Sequence, residues 1–142
     1  MKPFVLNEFL PYRLAVVASR MSRAYERRYS ADSGLSVPEW RVLAHLSQSG
    51  EVSVREIEAR VDMEKSKVSR AASRLEAQGL VAKVVNESDR RLVSLSLTDE
   101  GRALMARLVP IALDFQKEMA DVLGADAAQF EASLDKLMKA KL

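Results

Sequence analysis

Cysteine is absent from this 142-residue chain. Its absence excludes disulfide bonds, thiolate nucleophiles, cysteine redox switches and zinc sites built from cysteine. Histidine is nearly absent as well, because His45 is the only one in the sequence. A histidine-based metal site would have to be built across subunits or mostly from carboxylates. The sequence therefore predicts no metal site and no other cofactor.

Long apolar runs are also missing. No stretch approaches the roughly 20 residues that a membrane-spanning helix needs. Glu8 and Arg13 interrupt the short apolar pieces at the start of the chain, which carries no small-residue cleavage site. We therefore expect an intracellular, cytoplasmic protein without a membrane partner. Apolar residues make up 48% of the chain, enough to give about one domain a buried core.

Catalytic motifs are a third absence. The sequence has no glycine-rich phosphate loop and no nucleophile paired with a histidine. Carboxylates such as Glu39, Glu56 and Asp99 stand where they cap predicted helices, which is a structural use of an acid. We therefore predict that the chain is not an enzyme.

Charge is present but unevenly placed, although the net charge is only +2. Residues 65–74 hold four basic side chains and no acid, whereas residues 99–142 hold six basic and eight acidic side chains, a net of −2. A local basic patch on a balanced protein indicates contact with a polyanion at one place. The alternative is an ordinary solvated face.

Apolar periodicity and capping residues predict a run of helices. Leu10, Leu14, Val17, Met21 and Tyr25 recur at helical spacing, which predicts a long helix over residues 8–31. Capping serines at positions 36 and 53 predict two short helices, and a third is predicted over residues 65–78 with a left-handed glycine after it.

A β-hairpin follows these helices. Residues 80–85 and 92–97 are rich in β-branched and apolar side chains, and Val93, Leu95 and Leu97 alternate with polar residues. Thr98 is expected to cap a helix that runs to about Leu123. Pro110 is expected to bend that helix, and residues after Gly124 form a last amphipathic helix.

Two short helices, a longer helix and a hairpin form the winged helix-turn-helix arrangement. The fold class is therefore mainly α with a small β-hairpin wing. A helix fits the major groove of DNA when its rear packs and its front stays polar. The third helix of this lobe has Val68, Ala72 and Leu75 on its rear. Its polar front carries Lys65, Ser66, Lys67, Ser69, Arg70, Ser73 and Arg74.

The tip of the hairpin carries adjacent arginines, Arg90 and Arg91. Narrow minor grooves concentrate negative potential and attract arginine, so the tip is expected to enter the groove beside the helix. Asp89 can fold back on the turn or pair with Arg91 and so fix its direction. These three residues complete the predicted DNA-binding set.

The residues also carry a family resemblance. The run SDRRLVSLSLTDEG at 88–101 resembles the signature of the multiple-antibiotic-resistance regulator (MarR) family, an Asp-x-Arg followed by Leu-x-Leu-Thr-x-x-Gly. EWRVLAHL and KSKVSRAASRLEAQGLV resemble that family's second helix and recognition helix. The positions that match the signature are Asp89, Arg91, Leu95, Leu97, Thr98 and Gly101.

The resemblance implies a homodimer in which the first, fifth and sixth helices of both subunits interlock. It implies a repressor, less often an activator, that binds palindromic DNA and is released by a small, often aromatic, acid. The expected division is residues 1–35 for dimerisation, 36–98 for the winged lobe and 99–142 for dimerisation. Apolar flanking helices without a partner in one chain support the dimer independently.

Several residues allow more than one interpretation. Tyr12, Arg13 and Tyr25 could meet an anionic aromatic effector, or they could be ordinary surface side chains. Trp40 could line the same pocket or belong to the core. Peroxide-sensing members of the family work through a thiol, and this chain has none. Metal-sensing members use histidine and cysteine ligands that this chain lacks. The alternative for the whole chain is a winged domain that binds a protein rather than DNA. That use predicts an apolar or mixed front on residues 65–78, and the basic front argues against it.

Overall fold

The computed structural model describes residues 1–89 and 93–142. Within these residues the chain is mainly helical with one small antiparallel sheet, as predicted. The elements are α1 (Leu10–Ser33), α2 (Val37–Ser49), β1 (Val52–Ser53), α3 (Val54–Val61), α4 (Lys65–Ala77), β2 (Val81–Val85), β3 (Val93–Leu97), α5 (Asp99–Leu123) and α6 (Ala127–Lys139). Short 3-10 turns lie at Leu6–Glu8 and Gly124–Asp126.

The helices begin and end where capping chemistry places them. The backbone N–H of Glu39 donates to Ser36 Oγ at 3.4 Å, and that of Glu56 donates to Ser53 Oγ at 3.1 Å. Gly34 ends α1 in the left-handed region with φ 71°. The predicted start of α1 was two residues early, because a separate 3-10 turn precedes the helix and a proline occupies its first turn.

The strands predicted at residues 80–85 and 92–97 pair as an antiparallel hairpin, with Val81 opposite Leu97 and Val85 opposite Val93. Leu95, which lies between Val93 and Leu97 in the sequence, is fully buried, whereas Val93 and Leu97 are half-buried. A third strand, β1, joins the other edge of β3 and was not predicted. A strand of two residues is too short to show a periodic pattern in the sequence.

One threonine joins the recognition helix, the wing and the next helix. Thr98 Oγ1 donates to the carbonyl of Gly79 at 2.6 Å and accepts from the backbone N–H of Gly101 at 3.1 Å. Gly79 has φ 76°, and the N–H of Leu80 reaches back to the carbonyl of Leu75 at 2.9 Å, which closes the end of α4. The predicted cap at Thr98 is confirmed.

The chain divides into two compact units, Met1–Leu108 and Val109–Leu142. The first contains a continuous apolar core, and its fully buried side chains include Leu43, Leu46, Ile57, Val68, Leu75, Leu95 and Leu108. The second holds the remainder of α5 and all of α6. Helix α6 has no buried residue. Helix α5 continues through Pro110, and the expected bend there stays a prediction. Among the described helices, none has the length and apolarity needed to cross a membrane.

Candidate nucleic-acid interface

Helix α4 has an apolar rear and a polar front, as the sequence predicted. Val68, Ala71, Ala72 and Leu75 are at most 1% exposed and pack into the core. Every predicted front residue is exposed, namely Lys65, Ser66, Lys67, Ser69, Arg70, Ser73 and Arg74. The helix is thus held by its rear, and its front is available to solvent or to a partner.

The start of α4 is unusually positive for a helix N-terminus. Its N-cap residue, Glu64, makes no capping hydrogen bond with its side chain, and its first turn holds no acid. Lys65 and Lys67 occupy that turn instead, where the unpaired N–H groups already carry partial positive charge. Positive side chains and free N–H groups at one place form an environment suited to an anion such as a phosphate.

The two halves of the helix front differ in their contacts. Within the described residues, the side chains of Lys65, Ser66, Lys67, Ser69 and Arg70 make no hydrogen bond or ion pair inside the protein. The next front residues, Ser73 and Arg74, are both engaged. Ser73 Oγ accepts from Lys83 Nζ at 3.1 Å, and Arg74 Nη1 lies 3.7 Å from Glu39 Oε1.

A groove of about 550 Å³ is lined by residues of α3, α4 and both strands of the hairpin. Its lining includes the basic side chains of Arg55, Lys65 and Lys83 together with one acid, Glu58. Sequence reasoning missed Arg55 and Lys83, because they lie outside the basic run at 65–74 and reach the groove only through folding. The signals that could have found them are the basic residue Arg55 in the first turn of α3 and the basic residue Lys83 in the middle of β2.

The wing begins with an ordered turn. Asn86 Oδ1 accepts from the backbone N–H groups of Ser88 at 2.8 Å and Asp89 at 3.1 Å. An asparagine at the start of a polar tip is the sequence signal for such a turn. Asp89 is half-exposed. Arg90 and Arg91 lie outside the described residues, and the pairing predicted between Asp89 and Arg91 does too.

The candidate effector residues fall into two groups. Tyr25 and Trp40 meet, with ring centroids 4.9 Å apart, and Tyr29 joins them at 4.8 Å from Tyr25 and 5.7 Å from Trp40. Tyr12 and Arg13 are exposed near the start of α1. Thirteen residues of helix separate Tyr12 from Tyr25, which corresponds to roughly 20 Å along the axis, so one chain does not bring both groups together.

Burial in the aromatic cluster raises the pKa of both of its tyrosine hydroxyls. Burial raises the pKa of the Tyr25 hydroxyl, and the neighbouring Trp40 side chain partly opposes that rise. Burial, assisted by the nearby Glu26 carboxylate, raises the pKa of Tyr29 well above its ordinary value. Tyr29 is 1% exposed and was not singled out from the sequence, although its spacing of four residues from Tyr25 was visible there.

The described residues contain no group of three or more potential metal ligands. His45 instead lies with its Nε2 2.9 Å from Arg60 Nη1. Since a guanidinium only donates, Nε2 accepts this hydrogen bond. Arg60 also contacts Glu56 at 3.3 Å, so His45 is part of a polar contact between α2 and α3.

Comparison with known proteins gives consistent results. The MarR family profile matches residues 33–92. A transcriptional repressor of the helix-turn-helix type from Bacillus subtilis, MdtR, is 35% identical over 107 residues, covering 68% of this chain and 69% of its own length. A MarR family transcriptional regulator from Silicibacter pomeroyi is 31% identical with a TM-score of 0.80, covering 96% of this chain and 97% of its own.

BpsR of Bordetella bronchiseptica superposes with a TM-score of 0.84 at 25% identity, covering 99% of this chain and all of its own. The DNA binding of BpsR is regulated by 6-hydroxynicotinic acid.

Proposed function

Because the chain belongs to the MarR family of transcriptional regulators, we propose that it is a homodimeric repressor that binds a palindromic DNA operator. One observation carries the proposal: α4 presents a basic, acid-free front, and its apolar rear is fully packed. The name of the Bacillus relative, a transcriptional repressor, supports the sign of regulation.

In this proposal the first half of α4 reads the major groove. Arg70 is exposed and makes no hydrogen bond or ion pair within the described residues, so its guanidinium is available for a bidentate contact to a guanine edge. Lys65 and Lys67 lie at the start of the helix and are better placed for phosphates. Ser66 and Ser69 supply short hydrogen-bonding side chains between them.

The wing contacts the neighbouring minor groove. Strands β2 and β3 are paired up to Val85 and Val93, and the described turn at Asn86 follows β2. The assignment of Asp89, Arg90 and Arg91 to this contact rests on the sequence. Arg55 lines the groove between helix and wing, and it fits a contact to the phosphates that lie between the two DNA grooves.

Dimerisation accounts for apolar surface that a single chain leaves open. On α6, Phe130, Leu134 and Leu137 recur at helical spacing, yet each is more than a third exposed. In the other unit, Phe4, Leu6, Phe9 and Leu10 are exposed near the start of the chain. Two-fold association buries such surfaces and supplies two recognition helices for a palindrome. The division at residues 35/36 and 98/99 remains part of this proposal.

A small aromatic acid is proposed as the effector. BpsR, whose DNA binding 6-hydroxynicotinic acid regulates, supports this chemistry. The candidate contacts are Tyr25 and Trp40 in the aromatic cluster, with Tyr12 and Arg13. If all four line one site, the distance along α1 requires that the two pairs come from different subunits. Release then follows only if the effector favours a dimer whose recognition helices are wrongly spaced for DNA.

The decisive experiment is a fluorescence-anisotropy titration of a labelled duplex from the chain's own promoter, with an unrelated duplex as competitor. We expect specific binding that falls steeply between about 50 and 200 mM salt, because several phosphates are neutralised. R70A and R91A should each weaken specific binding by roughly 10-fold to 150-fold. The matched control is R20A, which removes the same charge from an exposed position of α1 and should leave affinity unchanged.

Absence of any retained complex at low salt would instead support a winged domain that docks on a protein. Equal binding to both duplexes would contradict sequence-specific recognition.

A further inference from the structure

Glu39 is the one charged residue that is buried among the described residues, with 5% of its surface exposed. It lies in the first turn of α2, where its backbone N–H donates to the capping hydroxyl of Ser36. A buried carboxylate is costly unless a cation or hydrogen-bond donors compensate for the lost water. The cation beside it is Arg74, whose Nη1 lies 3.7 Å from Glu39 Oε1.

The ion pair between Glu39 and Arg74 also matches the dipoles of the two helices that carry it. Glu39 lies at the N-terminal end of α2, where the helix dipole favours a negative charge. Arg74 lies in the last turn of α4, where the dipole favours a positive charge. The two charges therefore connect the start of one helix to the end of the other.

A second contact holds the same part of α4 from the wing. Lys83 on β2 donates to Ser73 Oγ at 3.1 Å and pairs with Glu76 Oε1 at 3.7 Å. Ser73, Arg74 and Glu76 are consecutive or nearly so, and they connect α4 to two different elements. Recognition helices contact base edges chiefly through their N-terminal residues, which leaves the C-terminal half free for this structural use.

We propose that Arg74 is a positioning residue, which fixes the direction of α4 through Glu39 and does not itself contact DNA. The proposal rests on the proposed function, because it concerns how the chain presents its helix to an operator. It reassigns Arg74 from the predicted DNA-binding set. Arg70, one turn earlier on the same helix, keeps its proposed contact to a base edge. Its variant R70A is therefore the comparison for the Arg74 variants.

The test is a double-mutant cycle in operator binding with E39Q, R74Q and the combined variant. We expect E39Q and R74Q each to weaken binding about 10-fold, and the combined variant to be no weaker than R74Q alone, since both remove one contact. The salt dependence of all three should match the wild type. The variant R74K, which keeps the charge near Glu39, should recover most of the affinity.

A direct DNA contact predicts a different pattern. If Arg74 neutralises a phosphate, R74Q should lower the slope of log affinity against log salt by about one. E39Q should then bind as well as the wild type or better, because it releases Arg74. Either result overturns the positioning role. Additive losses in the combined variant overturn it as well.

Two controls separate this inference from the proposed function and from misfolding. Wild-type binding together with loss in R70A establishes the DNA-binding function, so a neutral E39Q then overturns only the positioning role. If the wild type binds no operator, both ideas fall. Thermal unfolding of each variant shows whether it is folded at the temperature of the titration, and R74K tests the same contact with the buried carboxylate still paired.

Discussion

Thr98 and Gly101 show what single residues contribute to the wing. Thr98 uses one hydroxyl in two directions, as a donor to the end of α4 and as an acceptor at the start of α5. Gly101 is buried and follows three positions later. The resemblance to the family signature included both residues, and the structure supplies a physical reason for each: one closes the junction and the other leaves room for it.

The substitution G101A should destabilise the fold. A methyl group at Gly101 would overlap the backbone carbonyl oxygen of Leu80, which cannot rotate away as a side chain could. We expect the free energy of unfolding to fall by about 1–3 kcal/mol, as in other overpacked sites. Chemical denaturation followed by circular dichroism measures the change.

The matched control is G124A. Gly124 has φ 61° and open space around it, so an added methyl group strains the backbone without an overlap. A loss in G101A no larger than the loss in G124A would show that the junction relaxes and that its packing is not limiting.

At the scale of elements, α4 differs from the helices around it. Helices α2 and α3 begin with a serine that accepts a backbone hydrogen bond, whereas α4 begins without a side-chain cap and with lysines in its first turn. This start is poor for helix stability, because the positive charges oppose the helix dipole. The proposed DNA contact compensates for this repulsion, because a phosphate is attracted both by the lysines and by the positive end of the helix dipole.

The substitution K67E should therefore move stability and DNA binding in opposite directions. A glutamate in the first turn complements the dipole and should raise the free energy of unfolding by about 0.3–1 kcal/mol at low salt. The same change should weaken operator binding at least 10-fold and lower its salt slope by about one or more. Denaturant unfolding and anisotropy titration measure the two effects.

K67Q is the control for charge, and its values should fall between those of the wild type and K67E in both measurements. A K67E variant that binds operator as tightly as the wild type would remove Lys67 from the interface.

The elements themselves could mostly be predicted. Periodicity and caps placed α2, α3, α4 and the hairpin close to their final bounds, because these signals are local in sequence. Strand β1 and the contacts of Lys83 could not be predicted, because each depends on which distant segment lies alongside. The tip arginines remain predictions, since they lie outside the described residues.

At the scale of the whole molecule, the exposed apolar side chains indicate an interface with a partner chain. Helix α6 has no buried residue, although its apolar positions follow one another at helical spacing. Apolar surface of this kind on a globular protein indicates an interface. The same consideration applies separately to the apolar residues at the start of the chain.

The substitution L134D should convert the proposed dimer into monomers. Leu134 is 36% exposed on the apolar face of α6, and a buried unpaired carboxylate at an interface is strongly unfavourable. We expect sedimentation equilibrium to give the mass of one chain, and operator affinity to fall by at least 10-fold because half-sites are then bound singly.

A132D, on the same helix but away from this face, adds the same charge and should leave the mass unchanged. A wild-type protein that sediments as one chain would contradict the dimer and the palindromic operator together.

The sequence by itself determined the order of the elements, the apolar rear and basic front of α4, and the cap that begins α5. These features depend on neighbouring residues, whose spacing is fixed by the geometry of one helix or strand. The tertiary structure alone decided that Glu39 is buried beside Arg74, that Lys83 holds the end of α4, and that Tyr29 joins Trp40. Such contacts join residues that are not neighbours in the chain. Only the packing of the elements decides which of the many charged and aromatic side chains meet.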